Sequence, residues 1–207
     1  MDLLNTIAVS FACFLVVISA IDYVRRASKH ETDPVLVTFI LMALNMGLAA
    51  WMYWTNPRKS FDGNIGVTGG IVNVLTILIG LIVVKKRDGT LAKLTFTRFQ
   101  IGCIQASGLV FLIWLLTNEP LIAYSLVQCI ALIAYAATAK RLWSAPKITE
   151  PLFFWVCIFL ANLSAIVPAY VKRDPFSYIY LGRAIPSTAF MLYLILRIKR
   201  RMKSTPA

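Results

Sequence analysis

Apolar residues gather into seven blocks along the chain: Leu3 to Ile21, Val35 to Trp54, Asn64 to Val84, Thr97 to Thr117, Pro120 to Ala139, Leu152 to Val171 and Ser177 to Arg197. Roughly 20 mostly apolar residues in a helix cross a hydrocarbon core of about 30 Å. Every gap between blocks carries charge, proline or glycine. The blocks do not alternate apolar and polar positions, as the strands of a membrane barrel do. In lipid the backbone must satisfy its own amides, so such blocks predict helices. The pattern predicts an all-α membrane protein of seven transmembrane helices. The first block is too long, and has too many similar blocks behind it, for a cleaved signal peptide. It is expected to stay as the first span.

Composition agrees. Of 207 residues 59% are hydrophobic and 14% charged, against about 45–50% apolar and about 25% charged in soluble domains. A soluble chain of this length has no core large enough to bury that much apolar surface. The net charge of +12 would point to nucleic acid in a soluble protein. Here the basic residues sort by side of the membrane. One set of loops holds Arg25, Arg26 and Lys29; Lys85, Lys86, Arg87, Lys93 and Arg98; Lys140, Arg141 and Lys147; and five more from Arg197 to Lys203. The other set holds Arg58, Lys59, Lys172 and Arg173. The positive-inside rule then puts the N-terminus outside and the C-terminus in the cytoplasm. The expected setting is the cell (inner) membrane, multi-pass. The lipid bilayer is the main partner, no nucleic acid is implied, and an oligomer is compatible with these features.

The chain also repeats itself. Thr32-Asp33-Pro34 leads into the second block and Thr149-Glu150-Pro151 into the sixth. Eleven residues after each proline stands an asparagine, Asn45 and Asn162. The offset is 117 throughout. Basic clusters follow the first, third, fifth and seventh blocks, Lys140-Arg141 slightly earlier than Arg25-Arg26. Spans one to three thus resemble spans five to seven, with span four between. Four crossings separate span one from span five, so both triplets enter from the same side, as two parallel repeats. The division is a first repeat with its inner loop (1–96), a linker helix (97–117), and a second repeat with a basic tail (118–207). In each triplet the threonine or the acid is placed to cap free helix amides, and proline suits the first turn.

A 3+1+3 arrangement of seven short helices with parallel halves resembles the SWEET and PQ-loop class of transporters and the bacterial Pnu-type importers. Within that class it is most similar to small bacterial membrane proteins whose fifth-to-sixth junction runs roughly Thr-x-Arg-Lys-Ser-Trp, then Pro and Glu. Here Thr138-Ala139-Lys140-Arg141-Leu142-Trp143-Ser144-Ala145-Pro146 leads to Glu150, with Trp and Ser exchanged and Glu later. The Pro-Gln pair that names the PQ-loop group is absent: Pro34-Val35 and Pro151-Leu152 stand in its place. The resemblance implies facilitated transport of a small solute through a site between the repeats.

Polar residues inside spans usually face a cavity or another helix. Asn45 and Asn162 are equivalent in the repeat and fall near the middles of their spans, where repeat transporters bind substrate. Their amides offer donors and acceptors, which suits an uncharged sugar, nucleoside or vitamin-like solute. A plain helix–helix hydrogen bond is the other reading. Asn73 is a third cavity candidate, while Gln105 and Gln128 read as interhelical contacts. Trp51 and Tyr180 read either as interfacial belt or as a stacking surface, and Trp155 as belt. Arg183 is the one basic residue well inside a span. It either snorkels to the outer interface or meets an anionic group. Pro168 and Pro186, as helix breakers, are candidate gate positions.

No carboxylate is expected at mid-membrane, which favours facilitated diffusion over ion coupling. Cys13, Cys103, Cys129 and Cys157 lie on four different spans without ligand spacing and read as packing residues. No catalytic constellation, metal site or cofactor is implied, so an enzyme is not expected. Two functions remain open: a small-solute transporter, and a non-transporting scaffold or accessory subunit with the same fold.

Overall fold

The computed structural model describes residues 2–32, 36–55, 59–90, 97–143, 145 and 150–204. Eight helices follow one another: α1 (Asp2–Ser28), α2 (Leu36–Trp54), α3 (Ile65–Arg87), α4 (Arg98–Thr117), α5 (Pro120–Trp143), α6 (Leu152–Ser164), α7 (Ile166–Lys172) and α8 (Pro175–Ser204). With α6 and α7 taken as one span, seven are long and apolar enough to cross a membrane. Their positions match the seven blocks. Several run past the apolar stretch: α1, α5 and α8 continue for up to two turns into basic sequence.

Helix ends follow local chemistry. Thr97 and Gln100 form a reciprocal capping box at α4, which satisfies two amides that the first turn leaves free. Asn64 caps α3 by accepting from the Val67 amide. Asp174 accepts from the Phe176 amide at the start of α8, where Pro175 takes the first helical position. The sixth span breaks at Ala165. Three residues on, Pro168 has no N–H to offer the Ser164 carbonyl, so the regular ladder cannot continue there. The Thr-acid-Pro caps expected before α2 and α6 fare differently. Asp33, Pro34 and Thr149 lie outside the described residues. At α6 no side chain caps the helix, and Pro151 itself occupies the cap position. Glu150 turns away to accept from the Tyr23 hydroxyl, 3.4 Å distant.

In the packing, α3 lies against both α1 and α2, and α8 against both α5 and α6. Across the middle α1 meets α6 and α2 meets α5. The fourth span sits at the edge, against α5 and α2, with Val110 its one fully buried residue among those described. One apolar cluster fills the end of the bundle near Asp62, with Tyr53, Tyr124 and Phe176 edge to face. A second fills the opposite end around Tyr23, Leu142 and Leu194.

The Asp62 end is tied by polar contacts. Asp62 accepts from Asn5 on α1 at 3.1 Å and pairs with Lys172 of α7 at 3.1 Å. Ser177 on α8 donates to the Gly63 carbonyl. Burial works to raise the Asp62 carboxyl, but Lys172 and Asn5 outweigh it and hold it below the ordinary carboxylate range. Asp174 goes the other way: burial raises it, against its hydrogen bonds from Phe176, Ser177 and Tyr53. For Asp62 the unfolded chain takes up the proton first. Its contribution is therefore complete above the unfolded carboxylate value and is lost as pH falls through the folded one. Lys172→Met should flatten the acid limb of the melting-temperature profile below about pH 5. The pair is partly exposed, so the change at neutral pH should stay below about 1 kcal/mol. An unchanged acid limb would show that the pair contributes nothing.

Candidate functional site

A cavity of about 690 Å³ opens in the middle of the bundle, within the range of small-molecule sites. Helical spacing decides which residues reach it. On α2 these include Thr38, Leu41, Leu44, Asn45 and Leu48; on the sixth span they include Trp155, Ile158, Ala161 and Asn162 of α6 and Ala165 at its end. These positions recur at helical spacing, and Phe39, Met42, Met46 and Phe154 widen the lining beside them. The two sets are also in register at the offset of 117. Helix α3 contributes Gly66, Gly70 and Asn73, α5 contributes Tyr135, and α8 contributes Tyr180 and Arg183.

Asn45 and Asn162 are both buried and both line this space. Asn45 Nδ2 donates to the Val127 carbonyl of α5 at 3.3 Å. Its Oδ1 has no partner among the described residues, and neither has Nδ2 of Asn162. An acceptor and a donor thus stand unused on facing helices. Asn73 also lines the cavity, but its amide is committed: Nδ2 donates to the Val16 carbonyl at 2.8 Å and the Ser19 hydroxyl at 3.0 Å. That joins α3 to α1.

Arg183 does not extend toward the near end of the bundle. Its Nε and Nη2 donate to Gln128 Oε1 on α5, at 3.1 and 2.8 Å. The guanidinium lies 4.9 Å from the Tyr180 ring centre and 5.4 Å from that of Tyr135, within cation–π range. Gln128, buried, is the receiving group rather than a contact between uncharged residues. Tyr180 itself lies flat on α3: a Cβ at Gly66 would fall well inside contact distance of the Tyr180 ring. A glycine there lets the ring form the cavity wall.

The other candidates stand apart. Trp51 is 60% exposed and does not line the cavity. Pro168 is buried just past the α6–α7 break. Pro186 sits within an unbroken α8, on a shallow depression shared with Ile166 and Tyr178.

Three cavity residues escaped the sequence reading. Trp155 is 4% exposed, in the cavity wall rather than in an interfacial belt, and its Nε1 has no partner among the described residues. It stands two helical turns before Asn162, and that same-face spacing was the available signal. Tyr135 bears the same relation to Gln128. Glu150 is a buried carboxylate at the cavity margin, where none had been expected because it sits in the loop before α6. Phe39, Tyr23, Phe154, Trp155 and Tyr135 form a continuous aromatic wall, each ring 4.9–6.0 Å from the next.

This is the architecture of a multi-pass membrane protein with an internal, mostly apolar cavity that a few polar side chains border. No family model, curated protein or solved structure matches the chain.

The fit of Tyr180 over Gly66 can be tested directly. Gly66→Ala should push the ring off α3 and lower stability by about 1–3 kcal/mol, read as a lower melting temperature in detergent. Combining it with Tyr180→Ala should recover part of the loss. If Gly66→Ala alone melts with the wild type, the ring does not rest there.

Proposed function

We propose that the chain is a transporter of a small polar solute, built from two parallel three-helix units joined by α4. In this reading the N-terminus lies outside, the C-terminus lies in the cytoplasm, and the membrane is the cell (inner) membrane. The observation that carries the proposal is the cavity's lining. Five residues of α2, and four of α6 with Ala165 at its end, are related by the sequence offset of 117 and face one space. The placing of α3 between α1 and α2, and of α8 between α5 and α6, supports the same symmetry. Repeat transporters hold their solute near the bilayer midplane, between the halves, and Asn45 and Asn162 stand there with one acceptor and one donor unused. The likeness to SWEET and PQ-loop architecture agrees with this reading.

The chemistry asked of the site is modest. Facilitated diffusion needs hydrogen bonds that replace hydration without trapping the solute. Two amides across a mostly apolar cavity supply this. The break at Ala165, beside Pro168, gives the sixth span a place to bend when the site changes the side to which it opens.

Flux through proteoliposomes tests the proposal, with a panel of polyols, sugars, nucleosides, carboxamides and small organic acids. Asn45→Ala and Asn162→Ala should each slow the conducted solute about tenfold, the effect of one lost hydrogen bond in a buried site. Trp51→Ala should leave it unchanged. If neither asparagine variant alters any flux, the solute does not pass between them. If no solute crosses and the protein purifies with a fixed membrane partner, the scaffold reading replaces this one.

A further inference from the structure

The asparagines by themselves fit an uncharged solute, but Arg183 changes the chemistry of the cavity. It stands eight residues into α8, about 12 Å along the helix axis. Arginine stays protonated in proteins. The groups that hold its guanidinium are the Gln128 amide oxygen and the faces of Tyr180 and Tyr135. All three are neutral. They orient the cation without cancelling its charge. Among the described residues it has no carboxylate partner.

Snorkelling does not relieve the charge. Gln128 stands eight residues into α5 and Tyr135 fifteen, so the guanidinium is held level with the first and reaches toward the deeper second. Glu150, the cavity's carboxylate, is not its counter-ion either. Glu150 accepts from Tyr23, and neighbouring ring contacts run from Tyr23 through Phe154 and Trp155 to Tyr135, which the guanidinium meets. An ionised side chain within a membrane span is costly unless an opposite charge or water reaches it. Here it lines an internal space beside three unused buried polar atoms: Asn45 Oδ1, Trp155 Nε1 and Asn162 Nδ2.

We propose that Arg183 is an anion subsite, and that the cavity's ligand is a small organic monoanion with a carboxylate and a flat ring. The carboxylate meets the guanidinium, which has five N–H groups and gives two to Gln128. The ring lies along Tyr135 and Trp155, and its polar substituents meet the free atoms of Asn45 and Asn162. The inference rests on the transport reading for its location and adds the solute's charge and class.

The test is thermal stability of the full chain in lipid nanodiscs, at constant ionic strength, with matched acids and amides. The probes are benzoate against benzamide and 4-hydroxybenzoate against 4-hydroxybenzamide. The acids should raise the melting temperature, and the amides should need roughly tenfold higher concentration or more for the same shift. Arg183→Gln should abolish the preference, and Arg183→Lys should keep part of it. Without ligand, Arg183→Gln should melt no lower than the wild type, because it removes an uncompensated charge. The proposal is overturned if acids and amides act alike, if neither acid shifts the melt, or if ligand-free Arg183→Gln melts several degrees lower. Flux separates this from the transport reading. Carboxylates that bind but never cross would sink transport and leave the subsite. Neutral solutes that cross by way of Asn45 and Asn162, indifferent to Arg183→Gln, would sink the subsite and leave transport.

Discussion

Hydrocarbon offers no hydrogen bonds, and the rest of the structure depends on that constraint. A backbone amide inside the bilayer must find its partner in its own helix. The chain meets the demand with long regular helices and puts its irregular backbone at the ends, where Thr97, Asn64 and Asp174 close the first turns. Among the described residues, the helix break within a span, at Ala165, lies where α6 borders the cavity. Broken backbone at membrane depth is tolerated where protein or a cavity surrounds it.

The same rule governs the polar side chains. Asn73 spends its amide on the Val16 carbonyl and the Ser19 hydroxyl, and Gln128 receives the guanidinium. These join helices that the hydrophobic effect does not hold together, since lipid tails are as apolar as the faces they cover. Against that background the unused atoms of Asn45, Asn162 and Trp155 stand out. A buried polar atom without a partner costs free energy. Of seven such atoms among the described residues, these three border one cavity.

Small residues border the same cavity. Gly66 lets the Tyr180 ring lie on α3, and Gly70 leaves room for the end of Met46. Close helix approach through glycine is common in membrane bundles. Here it also draws an aromatic ring onto the wall of the site, beside the guanidinium it faces.

Much of the architecture was legible in the sequence. Length and hydropathy locate all seven spans, because about 20 apolar positions in a row have one stable form in lipid, though three helices run up to two turns further. The offset of 117 picked out Asn45 and Asn162, which line the same cavity. The sequence could not say which face of each helix turns inward. In water the apolar face is the buried one. In a bilayer both faces are apolar, so periodicity does not separate core from surface. Trp51 and Trp155 are alike as residues near span ends, yet one faces out and the other lines the cavity. Glu150 is adjacent in sequence to a helix start, and a cap was the local expectation. Tyr23, 127 positions away in the chain, takes it instead. Tertiary packing alone set Arg183 between Gln128 and two tyrosine rings, because those partners come from another helix and no local pattern records the meeting.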